Sequence, residues 1–409
     1  MVSRALRNQK VRRRILLLIG LVVVLAACWG LASTRLSSRG LPADDFVEYW
    51  AAARLNLTGG NPYSPGELLP LQRAAGLSGD EPVVMWNPPW TLALVMPFAI
   101  ASYPIERVVW LLLNLGLLLA SVTWIWWYYD GPRAQRWVAL LVLATYLPVL
   151  FVLRMGQIAP LMLVGILGFL HFEGRQRWYM AGAFAALVAI KPHLIYLFWI
   201  ALLLWTIDRR AWKVLLGTLA ALAVGTAVAW RVNPNVINQY ITAATRYPPS
   251  DWATPTIGGG LRLAFGYGHF WLQFLPLLAG ALWFLWYWRR QRRAWRWAEE
   301  MPLLLVVSLA TTPYGWEYDQ VVSLLPILQV AIWMVIVPWA PASTLLVMGY
   351  LAFNGLVLAM NVARINAVWY LWLAPAFLLW YLIARSRLGR AVAARALSHP
   401  APKPASPTA

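Results

Sequence analysis

Long apolar runs recur along the chain and decide what it can fold into. The 409 residues are 61% hydrophobic and only 12% charged, a balance that no soluble globular domain has. A bilayer, in contrast, accepts helices of about 20 apolar residues, because each helix satisfies its own backbone hydrogen bonds. The sequence therefore predicts an all-α polytopic membrane protein with about twelve transmembrane helices, the first at 15–33. One conflict remains at 88–129, which must cross an odd number of times but reads as two helices.

Short clusters of arginine and lysine set the predicted orientation, because these residues concentrate on the cytoplasmic side of membrane proteins. They occur between apolar runs, at 4–14, 133–136, 175–177, 209–213, 289–296 and 385–395. Both termini are therefore expected in the cytoplasm, and two long polar segments, 34–87 and 231–268, are expected outside. Residues 1–385 form one predicted transmembrane domain, and the basic, Pro- and Ala-rich tail 386–409 is expected to lack fixed structure.

The net charge of +19 does not indicate a nucleic-acid partner. A nucleic-acid interface needs a polar domain that carries a basic face, whereas the cations here lie between apolar runs. Cys28 is the single cysteine, so neither an intrachain disulfide nor a cysteine metal site is possible. We expect no cofactor, although Asp44, Asp45 and Glu48 could bind a divalent cation between them.

Acidic residues are scarce, and they cluster in the first polar segment. Three of the fifteen, Asp44, Asp45 and Glu48, fall within five positions. Apolar residues at helical spacing follow them and predict an amphipathic helix over 46–58 that lies on the membrane surface. Either aspartate could simply cap this helix. Asp45 could also take a proton from an acceptor hydroxyl.

Other ionisable residues interrupt apolar runs on the same predicted outer side, where such residues are costly and mark functional sites. They are Arg154 with Gln157, Lys191 with His193, Glu317 and Asp319 beside Trp316, and Arg364. Their cations, Arg154, Lys191 and Arg364, could hold an anionic lipid phosphate. Lys191 could equally extend to the membrane interface, and Glu317 and Asp319 could be solvated loop residues.

Five short motifs occur in a fixed order on that side. They are Asp45-Phe46-x-x-Tyr49-Trp50-x-Ala52-Ala53-Arg54-Leu55 with Gly60-Asn61-Pro62-Tyr63, then Asn87-Pro88-Pro89, Arg154-x-Gly156-Gln157, Lys191-Pro192, and Thr312-Pro313-x-x-Trp316-x-Tyr318. Together they resemble the glycosyltransferase family 87 proteins. These are membrane enzymes of the GT-C superfamily that use polyprenyl-phosphate sugars. The resemblance covers about residues 15–385.

The resemblance implies a GT-C fold with its active site on the outer face of a bacterial plasma (inner) membrane. It implies inverting transfer of a hexose from a polyprenyl-phosphate donor to a lipid or glycan acceptor, with mannose as the expected hexose. It also implies Asp45 as the catalytic base, with the neighbouring Asp44 leaving the assignment open between the two. Further substrate contacts are expected from Glu48, Tyr49, Trp50, Tyr63, Gln157, His193, Trp316, Glu317 and Asp319.

Two other classes of function fit such a chain. A transporter or flippase for a lipid-linked saccharide would place ionisable groups near the bilayer midplane, between repeated halves. The sequence has no visible internal repeat, and its polar sites fall at helix ends. A structural subunit could present the segments 34–87 and 231–268 to a partner. It would tolerate the loss of single outer carboxylates or cations.

Overall fold

The computed structural model describes residues 44–246, 250–337 and 341–392, and within these ranges the chain is helical with no strand. The α-helices are α1 (Phe46–Thr58), α2 (Pro65–Ala74), α3 (Leu92–Val95), α4 (Tyr103–Tyr128), α5 (Trp137–Thr145), α6 (Leu147–Met155), α7 (Ala159–Glu173), α8 (Trp178–Val188), α9 (Tyr196–Arg209), α10 (Trp212–Val232), α11 (Val236–Arg246), α12 (Ile257–Phe265), α13 (Leu275–Gln291), α14 (Trp297–Thr311), α15 (Leu324–Ile336), α16 (Pro341–Val362) and α17 (Leu373–Ala384).

Six helical segments among the described residues are long and apolar enough to cross a membrane, or seven if α5 and α6, bent by 58°, form one span. They are Tyr103–Tyr128, Trp212–Val232, Phe270–Ala294, Glu317–Ile336, Ala342–Val362 and Ala367–Val392. Leucines on these segments, such as Leu112 at 62% and Leu282 at 68% exposure, present apolar surface suited to lipid. About twelve crossings are not confirmed, because several apolar runs form shorter helices. The expected first helix, 15–33, lies outside the described residues.

The stretch 88–129 contains one candidate span, α4, rather than two. Its first part, Pro89–Ala99, consists of short α and 3-10 turns, with a non-helical backbone at Phe98. At about 1.5 Å per residue, such a segment is too short to cross the hydrocarbon core. It packs instead against α1 and α10. Residues 88–129 thus supply one candidate span, an odd number, as the charge pattern requires.

Helix α1 has the predicted bounds but not the predicted surface location. Its side chains are buried around most of its circumference, including Phe46, Tyr49, Ala52 and Asn56, all at 0% exposure. The polar side of the helix is used for contacts inside the protein, since the Asn56 amide donates to the Ala229 carbonyl of α10 at 3.3 Å. The amphipathic surface helix is therefore not confirmed, and α1 is a packed element of the fold.

The second polar segment, 231–268, contains α11 and α12, and it docks on the loop that follows α14. The Thr256 hydroxyl caps α12 by accepting a hydrogen bond from the Gly259 N–H at 3.0 Å. The Gln273 amide donates to the Thr254 hydroxyl at 2.9 Å and to the Pro313 carbonyl. These bonds hold the segment against residues 312–316, next to the candidate site.

The chain remains helical beyond α17. A π-helical turn spans Arg385–Gly389, and helix continues to residue 392. Arg385 pairs with Glu300 at 3.2 Å. The first residues of the tail 386–409 are thus helical rather than irregular, and residues 393–409 lie outside the described part of the chain.

Candidate active site

The Asp45 carboxylate lies immediately before α1, facing the turn between α6 and α7. Its Oδ2 atom accepts a hydrogen bond from Gln157 Nε2 at 2.7 Å, across 112 positions of sequence. Gln157 follows Gly156, which ends α6 with a φ of +70°. A Cβ atom at position 156 would lie 2.6 Å from the Cβ of Phe46. Only glycine therefore allows α1 to approach this turn so closely.

Lys191, in the turn between α8 and α9, extends this hydrogen-bond network. Its Nζ atom donates to Gln157 Oε1 and to Asp319 Oδ1, both at 2.9 Å. The Tyr49 hydroxyl also donates to Gln157 Oε1, at 3.0 Å. An ionised carboxylate only accepts and an ammonium only donates, so these partners fix the orientation of the Gln157 amide. We call Asp45, Gln157, Lys191 and Asp319 the polar network.

Asp319 holds Lys191 in place and has little surface for a substrate. Its side chain is 2% exposed. While Oδ1 pairs with Lys191, Oδ2 accepts the backbone N–H of Trp316 at 3.0 Å, at the start of the 3-10 helix Glu317–Ser323. Lys191 Nζ also lies 5.2 Å from the centre of the Tyr318 ring. Two of the three N–H donors of Lys191 are thus engaged, and the third could meet a ligand oxygen.

Asp44 points away from the polar network and pairs with Arg107 of α4. Arg107 Nε donates to Asp44 Oδ2 at 2.6 Å, and the Tyr103 hydroxyl donates to Asp44 Oδ1 at 3.1 Å. Arg107 also donates to the carbonyls of Leu153 and Arg154, at 2.9 and 2.8 Å. Sequence reasoning missed Arg107, although an arginine inside an apolar helix was a usable signal.

Burial changes the protonation of two acidic residues, Asp45 of the polar network and Glu48 in the first turn of α1. It raises the pKa of Asp45 to about 6, against the hydrogen bond from Gln157 and the charge of Lys191, which both lower it. Burial, reinforced by the Asp45 charge, raises the pKa of Glu48 to about 8. At neutral pH Asp45 is therefore mostly ionised and Glu48 mostly protonated. Asp45 can accept a proton under these conditions.

His193 lies two positions after Lys191, with its ring edge-on to Tyr314 at 6.1 Å. Burial, opposed by the Asp319 charge and assisted by the Lys191 charge, lowers the pKa of His193 to about 4. The imidazole is neutral at neutral pH, so it adds no positive charge for a phosphate. It can still donate one hydrogen bond to a substrate.

Of the three predicted phosphate contacts, only Lys191 belongs to the polar network. Arg154 is half-buried in the last turn of α6, and its backbone carbonyl accepts a bond from Arg107. Arg364 is exposed in the turn after α16, with a φ of +53°.

The predicted aromatic contacts lie in three different settings. Tyr49 and Trp50, at 0% and 8% exposure, are core residues, and Trp50 Nε1 donates to the Ala101 carbonyl at 3.3 Å. Tyr63 is 2% exposed and borders a cavity formed by the first polar segment. Trp316 is half-buried, and its ring stacks on Tyr318 at 6.3 Å.

Glu317, also half-buried, has one carboxylate oxygen with no hydrogen-bond partner in the described ranges. It stays a candidate for substrate contact. The same ranges contain no group of three or more His, Cys, Asp or Glu side chains placed to hold a metal ion. This geometry therefore gives no support to a divalent-cation site formed by Asp44, Asp45 and Glu48.

A protein-family comparison decides the family. The model described as Glycosyltransferase family 87 matches residues 86–313, more than half of the chain. The chain belongs to glycosyltransferase family 87. The family predicted from the motifs is thereby confirmed, and membership implies a membrane glycosyltransferase. No curated protein and no solved structure matches the chain.

The range matched by the family 87 model includes Gln157 and Lys191 but neither Asp45 nor Asp319. The tertiary structure supplies the missing connection, because Gln157 bonds Asp45 and Lys191 bonds Asp319. The region that defines the family thus lies in direct contact with both outlying carboxylates.

Proposed function

We propose that this family 87 protein transfers a hexose from a polyprenyl-phosphate donor to a lipid or glycan acceptor, and that the hexose is mannose. The reaction takes place on the outer face of a bacterial plasma membrane and inverts the anomeric centre. Asp45 is the general base. The observation that carries this proposal is the single hydrogen-bond network that joins a half-buried carboxylate, Asp45, to a cation, Lys191, through Gln157.

The chemistry needs one base and one cation. The acceptor hydroxyl oxygen attacks the anomeric carbon, the bond from that carbon to the phosphate oxygen breaks, and Asp45 takes the hydroxyl proton. The phosphate leaves with the bonding electrons and gains one negative charge, which Lys191 stabilises through its remaining N–H donor. Because phosphate leaves as an anion, no second carboxyl group has to protonate it, unlike the leaving group in glycoside hydrolysis.

The arrangement places Asp45 and Lys191 on opposite sides of Gln157. The amide donates to Asp45 at 2.7 Å and accepts from Lys191 at 2.9 Å, so proton acceptor and phosphate-binding cation are held at a fixed separation. Asp319 restrains Lys191 from the other side. A single displacement needs this geometry, because nucleophile and leaving group lie on opposite faces of the anomeric carbon.

The reaction is tested with purified protein in lipid nanodiscs and a panel of radiolabelled polyprenyl-phosphate hexoses. We expect turnover of one donor, polyprenyl-phosphate mannose. The label should move to a lipid or glycan acceptor from the same membrane. The product linkage should have the opposite anomeric configuration to the donor. Transbilayer movement of intact donor without sugar transfer would favour the flippase alternative and contradict the proposal.

The transfer rate should depend on pH through Asp45. A base works only when ionised, and the pKa of this carboxyl is raised to about 6. We expect kcat/KM to be constant above pH 7 and to fall about tenfold per pH unit well below pH 6. The measurement is kcat/KM for the preferred donor between pH 4.5 and 8, with protein integrity checked at each pH.

Gln157→Leu provides the control for that assignment. The Gln157 hydrogen bond lowers the pKa of Asp45, so its removal should move the acid limb of the profile to higher pH as well as reduce the rate. A profile with the same midpoint in both proteins would assign the acid limb to a group other than Asp45.

A further inference from the structure

The first polar segment forms an open cavity that the polar network does not use. Its volume is about 320 Å³, and it is lined by Tyr63, Pro65, Glu81, Pro82, Val84 and Trp86. The lining combines aromatic rings and prolines with one charged side chain, Glu81. Flat apolar surfaces beside a hydrogen-bond acceptor suit a sugar ring, which has apolar C–H faces and a rim of hydroxyl groups.

The cavity wall is held in place although residues 81–87 form no helix or strand. The fully buried Gln72 side chain of α2 makes two hydrogen bonds to the backbone of Val83, donating to its carbonyl at 2.7 Å and accepting from its N–H at 2.9 Å. The Tyr63 hydroxyl donates to the Asn87 carbonyl at 3.2 Å. These bonds fix both sides of the cavity before any ligand binds, which lowers the entropic cost of binding.

The cavity is connected to the candidate active site by two structural links. The Asn87 amide donates to the carbonyl of Ile190, the residue before Lys191, at 2.9 Å. In addition, a row of edge-to-face rings runs from Trp86 to Trp252 at 5.9 Å, and on to Tyr314 at 6.1 Å. Tyr314 in turn contacts His193. The cavity therefore neighbours the polar network without sharing any residue with it.

We propose that this cavity binds a hexopyranose ring of the acceptor, with Trp86 stacking on the ring and Glu81 accepting hydrogen bonds from its hydroxyls. The proposal rests on the proposed transferase function. The donor carries one sugar, and that sugar must reach both Asp45 and Lys191 for the reaction to occur. A second ring site outside the polar network is therefore assigned to the acceptor, whose reacting hydroxyl extends toward Asp45.

The test compares Trp86→Ala with wild type in the lipid-reconstituted transfer assay. Loss of a stacking ring should raise KM for a saccharide acceptor about tenfold, with KM for the donor unchanged. Trp86→Phe should retain most of the acceptor affinity, and Glu81→Gln should raise the acceptor KM by a smaller factor. The matched control is Trp212→Ala, because Trp212 is 50% exposed on α10 and does not line the cavity.

A binding measurement separates this proposal from the proposed function. Saturation-transfer NMR with methyl hexopyranosides needs no turnover, and we expect a signal with wild type that is lost in Trp86→Ala and kept in Trp212→Ala. That result would support the cavity site even if no donor were turned over. Absence of the signal from wild type, or a rise in donor KM in place of acceptor KM, would overturn the proposal. If Trp86→Ala does not fold, Glu81→Gln carries the comparison, and its signal should be weaker than that of wild type, while Trp86→Phe should keep the signal.

Discussion

Asp45→Asn should lower the transfer rate by about 10²–10⁴-fold, the usual contribution of a positioned general base. Asparagine has nearly the same shape and can still accept the hydrogen bond that Gln157 donates at 2.7 Å. It cannot take a proton, so the loss should appear in kcat with donor binding retained. The measurement is single-turnover transfer from the preferred donor, with donor affinity determined separately.

Asp44→Asn is the natural comparison because the two residues are adjacent and their contacts differ. Asp44 pairs with Arg107 and Tyr103, away from the polar network. We expect Asp44→Asn to lower stability while folded protein keeps its transfer rate. Full activity in Asp45→Asn together with loss in Asp44→Asn would reverse the assignment of the base.

Arg107→Ala should destabilise the protein by about 3–5 kcal/mol, because it leaves a buried carboxylate without its cation. The Arg107 side chain is 5% exposed and that of Asp44 is 12% exposed. The substitution also removes the donor for the Leu153 and Arg154 carbonyls, just before the turn that holds Gln157. Unfolding in detergent, followed by denaturant titration, measures the change.

The surface pair Arg73–Asp80 provides the control for this effect. Arg73 meets Asp80 at 2.8 Å, but the two side chains are 50% and 100% exposed. Solvent screens such a pair, so Arg73→Ala should leave unfolding unchanged within error. Equal unfolding curves for Arg107→Ala and Arg73→Ala would show that the buried pair does not contribute to stability.

Local pattern was enough to find several parts of the candidate site. Residues 46–58 carry apolar side chains at helical spacing, and α1 has these bounds. Gln157 and Lys191 stood out because polar residues that interrupt apolar runs are costly. The structure brings both residues, with Asp45, into one network, although their roles in catalysis stay predictions.

Other features depend on contacts between distant segments. Composition and spacing could not distinguish Asp44 from Asp45, because the two residues differ only in their distant partners. Asp44 pairs with Arg107 of α4. Asp45 bonds Gln157 in the turn between α6 and α7. The same applies to Asp319, predicted as a substrate contact, whose partner Lys191 lies 128 positions away. The burial of α1 also escaped prediction, since a helix with aromatic, small and polar residues suits a membrane surface and a protein interior equally well.

Hydropathy and short motifs are properties of neighbouring residues, so the helical membrane class, the family and the residue types available for chemistry could be predicted from the amino-acid sequence. The folded structure was needed to find which carboxylate faces Lys191, which aromatic residues are core and where a cavity forms. Those outcomes depend on which helices pack together. Close packing acts between surfaces that are far apart in sequence, and no local pattern records it.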